Sequence, residues 1–327
     1  MLTGFGGVPG QWAMRRLGSL VSRGRLLILY YHRVHPQPDP LRDADVDAAN
    51  FDWQMQVLSQ LFTVLPLPEA VARLQANDLP PNAVCVTFDD GYADNVEVAL
   101  PILQRWNIPA TFFLTTGYFG DGRMWNDTII EAVRQAAGSR LDLAALTLGE
   151  YPIATMEQRA QAAGAVLRKL KHLPRRERDE QVARVLDVLQ MEVTNRPMMT
   201  TEQVNDLCRA NMDIGGHTVH HPILTQIPLA EAREEIIAGK QRLEQIIGRE
   251  IRLFAYPNGV PGMDYDRQHV ALSREAGFDA AVSTAWGAAA AGDDMFQLPR
   301  IAPWDQTPLR FCARLLRSYT NRGFDCA

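Results

Sequence analysis

The chain has 327 residues, 46% of them hydrophobic, which is long for one average domain but ordinary for an α/β barrel carrying an insertion. Its 33 basic and 38 acidic residues are intermixed and leave a formal net charge of -5, so it lacks the basic footprint of a nucleic-acid binder. Cys85, Cys208, Cys312 and Cys326 are scattered without a Cys-x-x-Cys pair, which argues against a zinc ribbon and against a dense disulfide framework.

Residues 1–25 read as an N-terminal arm or short helix. Trp12, Ala13, Leu17, Leu20 and Val21 fall on one face, Arg15, Arg16 and Arg23 lie outside it, and Gly24 ends it. Such a face either covers the bottom of a barrel or rests on a membrane surface. The apolar run Leu26–Tyr31 is short, follows Arg23 and Arg25 and has no cleavage site, so it reads as a first barrel strand rather than a secretory signal. With no 18-residue apolar span either, the expectation is a cytoplasmic protein without a transmembrane segment, a membrane-peripheral or exported form staying open.

Further strands are expected at Phe62–Leu65, Val84–Phe88, Ala110–Leu114, Asp213–Gly216, Leu253–Tyr256, Ala280–Ser283 and Gln297–Ile301. Helical spacing fills the gaps over Phe51–Leu61, Asn95–Trp106 and Leu229–Ile247. This alternation predicts a parallel (β/α) barrel over residues 26–310. It is interrupted at about 121–198 by a helical insertion with a capping box at Thr155 and Gln158 and an apolar stripe at Val182, Val185, Leu186 and Leu189. Residues 311–327 are expected as a C-terminal tail helix. The basic group Arg168, Lys169, Lys171, Arg175, Arg176 and Arg178 reads either as a contact for an anionic polymer or as a solvated turn between two helices.

Two tracts carry the chemistry. Thr87-Phe88-Asp89-Asp90-Gly91 closes an apolar strand with two acids at its carboxyl end, and His217-Thr218-Val219-His220-His221 offers imidazoles four residues apart. Each alone has an ordinary explanation, turn chemistry for Asp-Asp-Gly and surface polarity or a helix cap for the histidines. Both follow strand-like runs, however, and side chains gathered from different strand ends are what a barrel site is built from, so together they suggest metal-assisted hydrolysis. Adjacent acids at a strand end diverge, so one can face a cation while the other faces substrate.

These tracts resemble the first two motifs of the polysaccharide deacetylases, the NodB-homology or carbohydrate esterase 4 group. Ile108-Pro109-Ala110-Thr111-Phe112-Phe113, Phe254-Ala255-Tyr256-Pro257-Asn258-Gly259 and Ala276-Gly277-Phe278-Asp279-Ala280 follow in the order that family shows, and Leu298-Pro299-Arg300-Ile301 is similar to the end of a subgroup that opens, as here, with Tyr-His-Arg-Val. The resemblance covers residues 26 to 303 and implies a distorted, incomplete barrel of seven or eight strands. It further implies Asp89 as general base and Asp90, His217 and His221 as ligands of one divalent ion. Zinc fits best, and manganese, cobalt, nickel or iron would also accept these ligands. The backbone N–H of Asn258 falls where the family stabilises the oxyanion.

Two positions depart from the pattern. Ala255 stands where the family has an arginine that orients the base, and Arg300 is the candidate substitute, with an ordinary salt bridge as the alternative. No histidine follows His269, so the family's late acid is missing; His32, at the end of the first strand, is the replacement acid or substrate contact, unless its role is structural. Trp125, Tyr256 and Trp286, with Trp304, lie near strand ends and are candidates for a sugar platform, although core packing would account for several of them. His220 competes with His221 as the second histidine ligand. The expected function is metal-dependent removal of N-acetyl groups from an N-acetylated sugar or polysaccharide. An O-acetyl esterase, a cyclic-amide hydrolase and a non-catalytic glycan-binding module are the alternatives; the oligomeric state is left open.

Overall fold

The computed structural model describes residues 15–16, 18–321 and 324–327. Two compact units emerge, one of Met1–Gln37, Asp45–Phe119 and Met199–Ala327, the other of Pro38–Ala44 and Gly120–Met198.

In the first unit, β1 (Arg25–Tyr31), β2 (Thr63–Val64), β3 (Ala83–Phe88), β4 (Ala110–Leu114), β5 (Asp213–Gly216), β6 (Leu253–Ala255), β7 (Ala280–Val282) and β8 (Ala289–Ala290) form one sheet. Its path is β7-β6-β5-β4-β3-β1-β8, with β2 paired to the start of β3. All pairings are parallel except β8 against the start of β1. The sheet curls back on itself through the Leu298–Ile301 segment, where Leu298 bridges Val282 and Ile301 bridges Leu29. The expected strand at Gln297–Ile301 is therefore reduced to two single bridges. Pro299 lies between them and has no N–H to contribute to a ladder.

Among the described residues, the helices around this distorted (β/α) barrel include α1 (Ala48–Leu61), α2 (Leu67–Gln75), α3 (Leu100–Trp106), α4 (Thr201–Arg209), α5 (Leu229–Ile247), α6 (Arg267–Glu275) and α7 (Pro308–Ser318). The helix expected over Asn95–Trp106 begins as a wide turn at Asn95–Ala99, in which the Leu100 N–H reaches five residues back to the Asn95 carbonyl. Pro101 interrupts the regular ladder at that point. The last helix starts at Pro308 and stops at Ser318, rather than spanning 311–327, and it buries Phe311, Cys312 and Leu315.

Strand alternation divides the core in two. Leu26, Ile28, Cys85, Phe113, Leu253 and Leu298 pack inside the barrel, whereas Leu27, Leu29, Val86, Phe88 and Phe112 pack outward against Met55, Leu58 and Ile236 of the helices. Complete burial of each such side chain contributes roughly 1.5–3 kcal/mol. This phase decides which residues beyond each strand end face the barrel mouth.

The second unit has its own core. Three helices, Trp125–Gln135, Met156–Leu170 and Arg175–Leu189, and a hairpin of Arg140–Leu143 with Gly149–Pro152 pack around Ile129, Val133, Val166, Leu170 and Val185. The Thr155–Gln158 capping box is formed in both directions. Arg42 is paired to the fully buried Asp127. Within the basic group, Arg178 stacks over Trp125, Lys169 donates to the Leu148 carbonyl, and Arg175 and Arg176 pair with Asp179 and Glu180. Charges tied internally in this way favour the solvated-turn reading over an anionic polymer contact.

Trp12, Ala13 and Leu17 of the expected N-terminal face lie outside the described residues. Leu20 and Val21, on the helical turn before β1, are 64% and 40% exposed instead of packed. It is the opposite side of that turn that docks, with buried Ser22 donating to Asn82 and Gly18 so close that a Cβ there would lie 2.4 Å from the Asn82 Oδ1. Among the described residues no helix is long and apolar enough to cross a membrane.

Candidate metal centre

Because Cys85 faces the barrel interior, Thr87 and Asp89 on the same phase face it too. Asp90 would point outward if the strand continued. Instead the chain turns there with φ 76° at Asp90 and 90° at Gly91, a left-handed backbone that aspartate tolerates and glycine adopts freely, and the Asp90 carboxylate swings back to the mouth.

β5 brings His217 to the same mouth. The loop after it is bent by positive φ at Thr218 and His221, and pinned by Glu235 of α5. Glu235 accepts hydrogen bonds from the Val219 and His220 backbone N–H groups at 2.9 and 2.8 Å, and its other oxygen lies 2.7 Å from His220 Nδ1. On its far side the loop leaves no room for a side chain: a Cβ at Gly117 would sit 2.6 Å from the Val219 carbonyl.

The Nε2 atoms of His217 and His221 each stand 3.5 Å from Asp90 Oδ1, and the three ligand atoms lie within 4.8 Å of one another. His217 Nδ1 is 2.7 Å from the Ala255 carbonyl, an acceptor that requires the proton on Nδ1 and so leaves the Nε2 lone pair facing Asp90. Asp90 Oδ1 is buried without a hydrogen-bond donor among the described residues. One carboxylate oxygen and two imidazole nitrogens converging on one point, with that oxygen otherwise orphaned, fit a divalent cation. His220 is turned away into Glu235, so the pair that converges is His217 with His221.

Electrostatics match this arrangement. Burial alone would raise the Asp90 carboxyl, but the adjacent imidazoles of His221 and His217 outweigh it and hold the group well below the usual carboxylate range. Burial pushes the His221 imidazole down to about 4, which keeps it neutral and able to donate a lone pair. His217 moves the other way: burial is overcome by the nearby Asp90 and Asp89 carboxylates, which raise it.

Asp89 is held separately. The Arg300 guanidinium grips both of its oxygens, at 2.8 and 2.7 Å, and neither side chain is more than 3% exposed. Arg300 also donates to the Ser283 carbonyl and the Thr87 hydroxyl. Burial would raise the Asp89 carboxyl, yet the adjacent Arg300 charge keeps it below the ordinary value and therefore ionised. Arg300 thus reaches Asp89 from the segment after β8, on the barrel-facing phase of Leu298.

His32 continues the Ile28 and Tyr30 phase of β1 and is exposed at the mouth. It lies near enough to Asp89, Asp90 and His221 to interact with each electrostatically, and its carbonyl accepts a hydrogen bond from Asn95. Asn258 lies in a tight turn at φ 58°, followed by Gly259 at 77°. Its carbonyl accepts from Thr284, and no described residue accepts its N–H.

The aromatic candidates separate. Tyr256 is fully buried, because Ala255 takes the interior phase of β6 and its neighbour must face the helices. Its hydroxyl bonds to Ser273 and the Phe296 carbonyl and its ring stacks on Tyr265, so the expectation of a sugar contact is corrected to a core residue. Trp125 opens a helix of the second unit and is half-buried beneath Arg178, in the packing of that unit. Trp286 follows β7 and pairs with Trp304 at 5.0 Å, Trp304 being 57% exposed and Arg314 lying over both rings. Sequence reasoning missed Glu235: a lone glutamate in an amphipathic helix carries no local sign of a partner fifteen residues upstream.

Residues 76–281, more than half of the chain, match the family model described as polysaccharide deacetylase. The chain belongs to that family. It is accordingly a hydrolase of carbon–nitrogen bonds, of the carbohydrate deacetylase class. It is similar to YxkH of Bacillus subtilis, which carries a provisional polysaccharide deacetylase name, at 20% identity over 85% of this chain and 71% of that one. A shorter match, 29% identical over 32% of this chain and 41% of the other, is to the poly-β-1,6-N-acetyl-D-glucosamine N-deacetylase of Staphylococcus epidermidis. In fold it resembles the Streptococcus pyogenes deacetylase PplD in complex with acetate, with a TM-score of 0.59, 21% identity, and coverage of 90% of this chain and 98% of that one.

Proposed function

We propose that this deacetylase is divalent-metal-dependent and removes N-acetyl groups from an N-acetylated sugar or polysaccharide. The observation that carries the reading is an ionised carboxylate, Asp89, fixed by Arg300 beside the separate Asp90, His217 and His221 cluster. A divalent ion on those three residues, zinc first and manganese, cobalt, nickel or iron next, would polarise an acetamide carbonyl and make water more acidic.

Asp89 accepts the proton of the attacking water, and Arg300 keeps it charged and oriented until it does. The Asn258 N–H donates to the oxyanion that forms on the former carbonyl oxygen. His32 delivers a proton to the departing amine, without which an amine leaves poorly. Trp286, with the exposed Trp304, offers the apolar face of a sugar a flat partner. The missing arginine at Ala255 and the missing late histidine together suggest a non-catalytic module; the Arg300–Asp89 pair weakens the first of these.

The name of the S. epidermidis relative makes poly-β-1,6-N-acetylglucosamine the first polymer to assay, beside N-acetylglucosamine oligomers of other linkage. Metal-loaded protein should release acetate, and chelation should abolish the release. Turnover of O-acetyl esters or cyclic amides, with no release from any N-acetylated glycan, would contradict the substrate assignment.

A further inference from the structure

Tyr30 lies on β1, in register with Thr87 and on the barrel-facing phase shared by Ile28 and His32. The face of its ring lies 4.7 Å from the Arg300 guanidinium carbon, and its ring meets His32 edge-on at 5.7 Å. It is only partly buried, and no described residue hydrogen-bonds its hydroxyl. The ring, rather than the hydroxyl, is therefore what the protein engages.

We propose that Tyr30 is a positioning residue whose ring sets both the Arg300 guanidinium that orients Asp89 and the imidazole of His32. A cation over an aromatic face gains most where water is excluded, and here the cation is fully buried. Arg300 makes one hydrogen bond to a backbone carbonyl, one to Thr87 and two to Asp89, and the N–H groups of a guanidinium point along its plane. None of these bonds limits movement perpendicular to that plane; a ring packed on the guanidinium face does. Phe113, 5.8 Å from the same carbon, is farther away than Tyr30. One side chain thus connects the cation that fixes the base to the candidate acid.

The inference rests on the proposed base role of Asp89, and its test separates the two. In metal-loaded enzyme with an N-acetylglucosamine oligomer, Tyr30→Leu should lower kcat by about 10- to 100-fold, the scale of a misplaced catalytic group, with KM nearly unchanged. Tyr30→Phe, which keeps the ring, should restore most of that loss. Independently of activity, the Arg300 Nε–H signal in a nitrogen-15 NMR spectrum, assigned by its disappearance in Arg300→Lys, should persist in Tyr30→Phe and exchange rapidly with water in Tyr30→Leu. A kcat and an Arg300 signal both unmoved by Tyr30→Leu would overturn the proposal, as would a Tyr30→Phe variant as impaired as Tyr30→Leu. If Tyr30→Leu does not fold, Tyr30→Met removes the ring at similar volume and is read in the same way. Absence of acetate release from the wild-type protein would instead count against the deacetylase reading, and the NMR comparison would still decide the role of Tyr30.

Discussion

Arg300 grips Asp89 through two parallel hydrogen bonds of 2.8 and 2.7 Å in a fully enclosed pair, although 211 residues separate them. A buried pair of this kind is not a simple source of stability. Removing one partner leaves the other charge without compensation, at a cost of about 3–5 kcal/mol. The pair therefore makes sense as a device that keeps a carboxylate ionised and oriented inside an apolar barrel.

That assigns a direction to pH dependence. The Asp89 carboxyl is lowered with Arg300 present, so the base stays ionised, and competent, below the ordinary carboxylate range. In Arg300→Met the burial of Asp89 loses its largest opposing charge and its carboxyl rises. The acid limb of kcat/KM should then move to higher pH and the maximal rate should fall. An acid limb at the wild-type position would show that Arg300 does not set the state of the base.

Metal content distinguishes the two adjacent histidines. His221→Ala removes one of three converging ligands and should lose most bound zinc on dialysis, measured by elemental analysis. His220→Ala removes contacts to Glu235 and the Tyr118 ring, neither of them a ligand, and should retain it. Glu235→Gln keeps one acceptor oxygen but weakens three hydrogen bonds to the ligand loop, so its zinc affinity should fall by about 10- to 100-fold, the range seen for groups that orient ligands from behind. Loss of zinc in His220→Ala with retention in His221→Ala would reverse the assignment.

His32→Gln tests the proton donor. Hydrolysis of an acetamide should suffer far more than hydrolysis of an activated aryl acetate, because a phenolate leaves unprotonated and an amine does not. Equal impairment of both substrates would make His32 a positioning residue.

Tyr256→Phe should lower the melting temperature and leave KM unchanged, since it deletes hydrogen bonds to Ser273 and Phe296 in the core. Each such bond contributes about 1 kcal/mol. A raised KM at unchanged stability would return Tyr256 to the substrate.

Much of the site was legible in the sequence because its parts lie at strand ends, where short motifs and strand spacing coincide. The acid pair after β3, the histidines after β5 and the arginine that answers the vacancy at Ala255 all have local signals. Phase was not legible. Parallel strands apolar on both faces, such as Leu253–Ala255, do not reveal which side faces the barrel interior, so the sequence does not say that Tyr256 packs toward the helices. Long-range partnerships were equally hidden: Glu235 with the histidine loop, Pro38–Ala44 with Gly120–Met198, and Tyr30 with Arg300 each join segments whose residue types alone look unremarkable. The strand expected at Gln297–Ile301 shrank to two bridges around Pro299, a residue whose missing N–H was visible in the sequence.

The central claim is that Asp89 is the base and is distinct from the metal ligands. Asp89→Asn preserves size and the ability to accept a hydrogen bond from Arg300, but it cannot take a proton. Acetate release and zinc content measured on the same preparation should show zinc retained at the wild-type ratio and hydrolysis reduced by about 10²- to 10⁴-fold, the usual consequence of losing a general base. Acetate release close to wild type, or loss of zinc together with activity, would contradict the account.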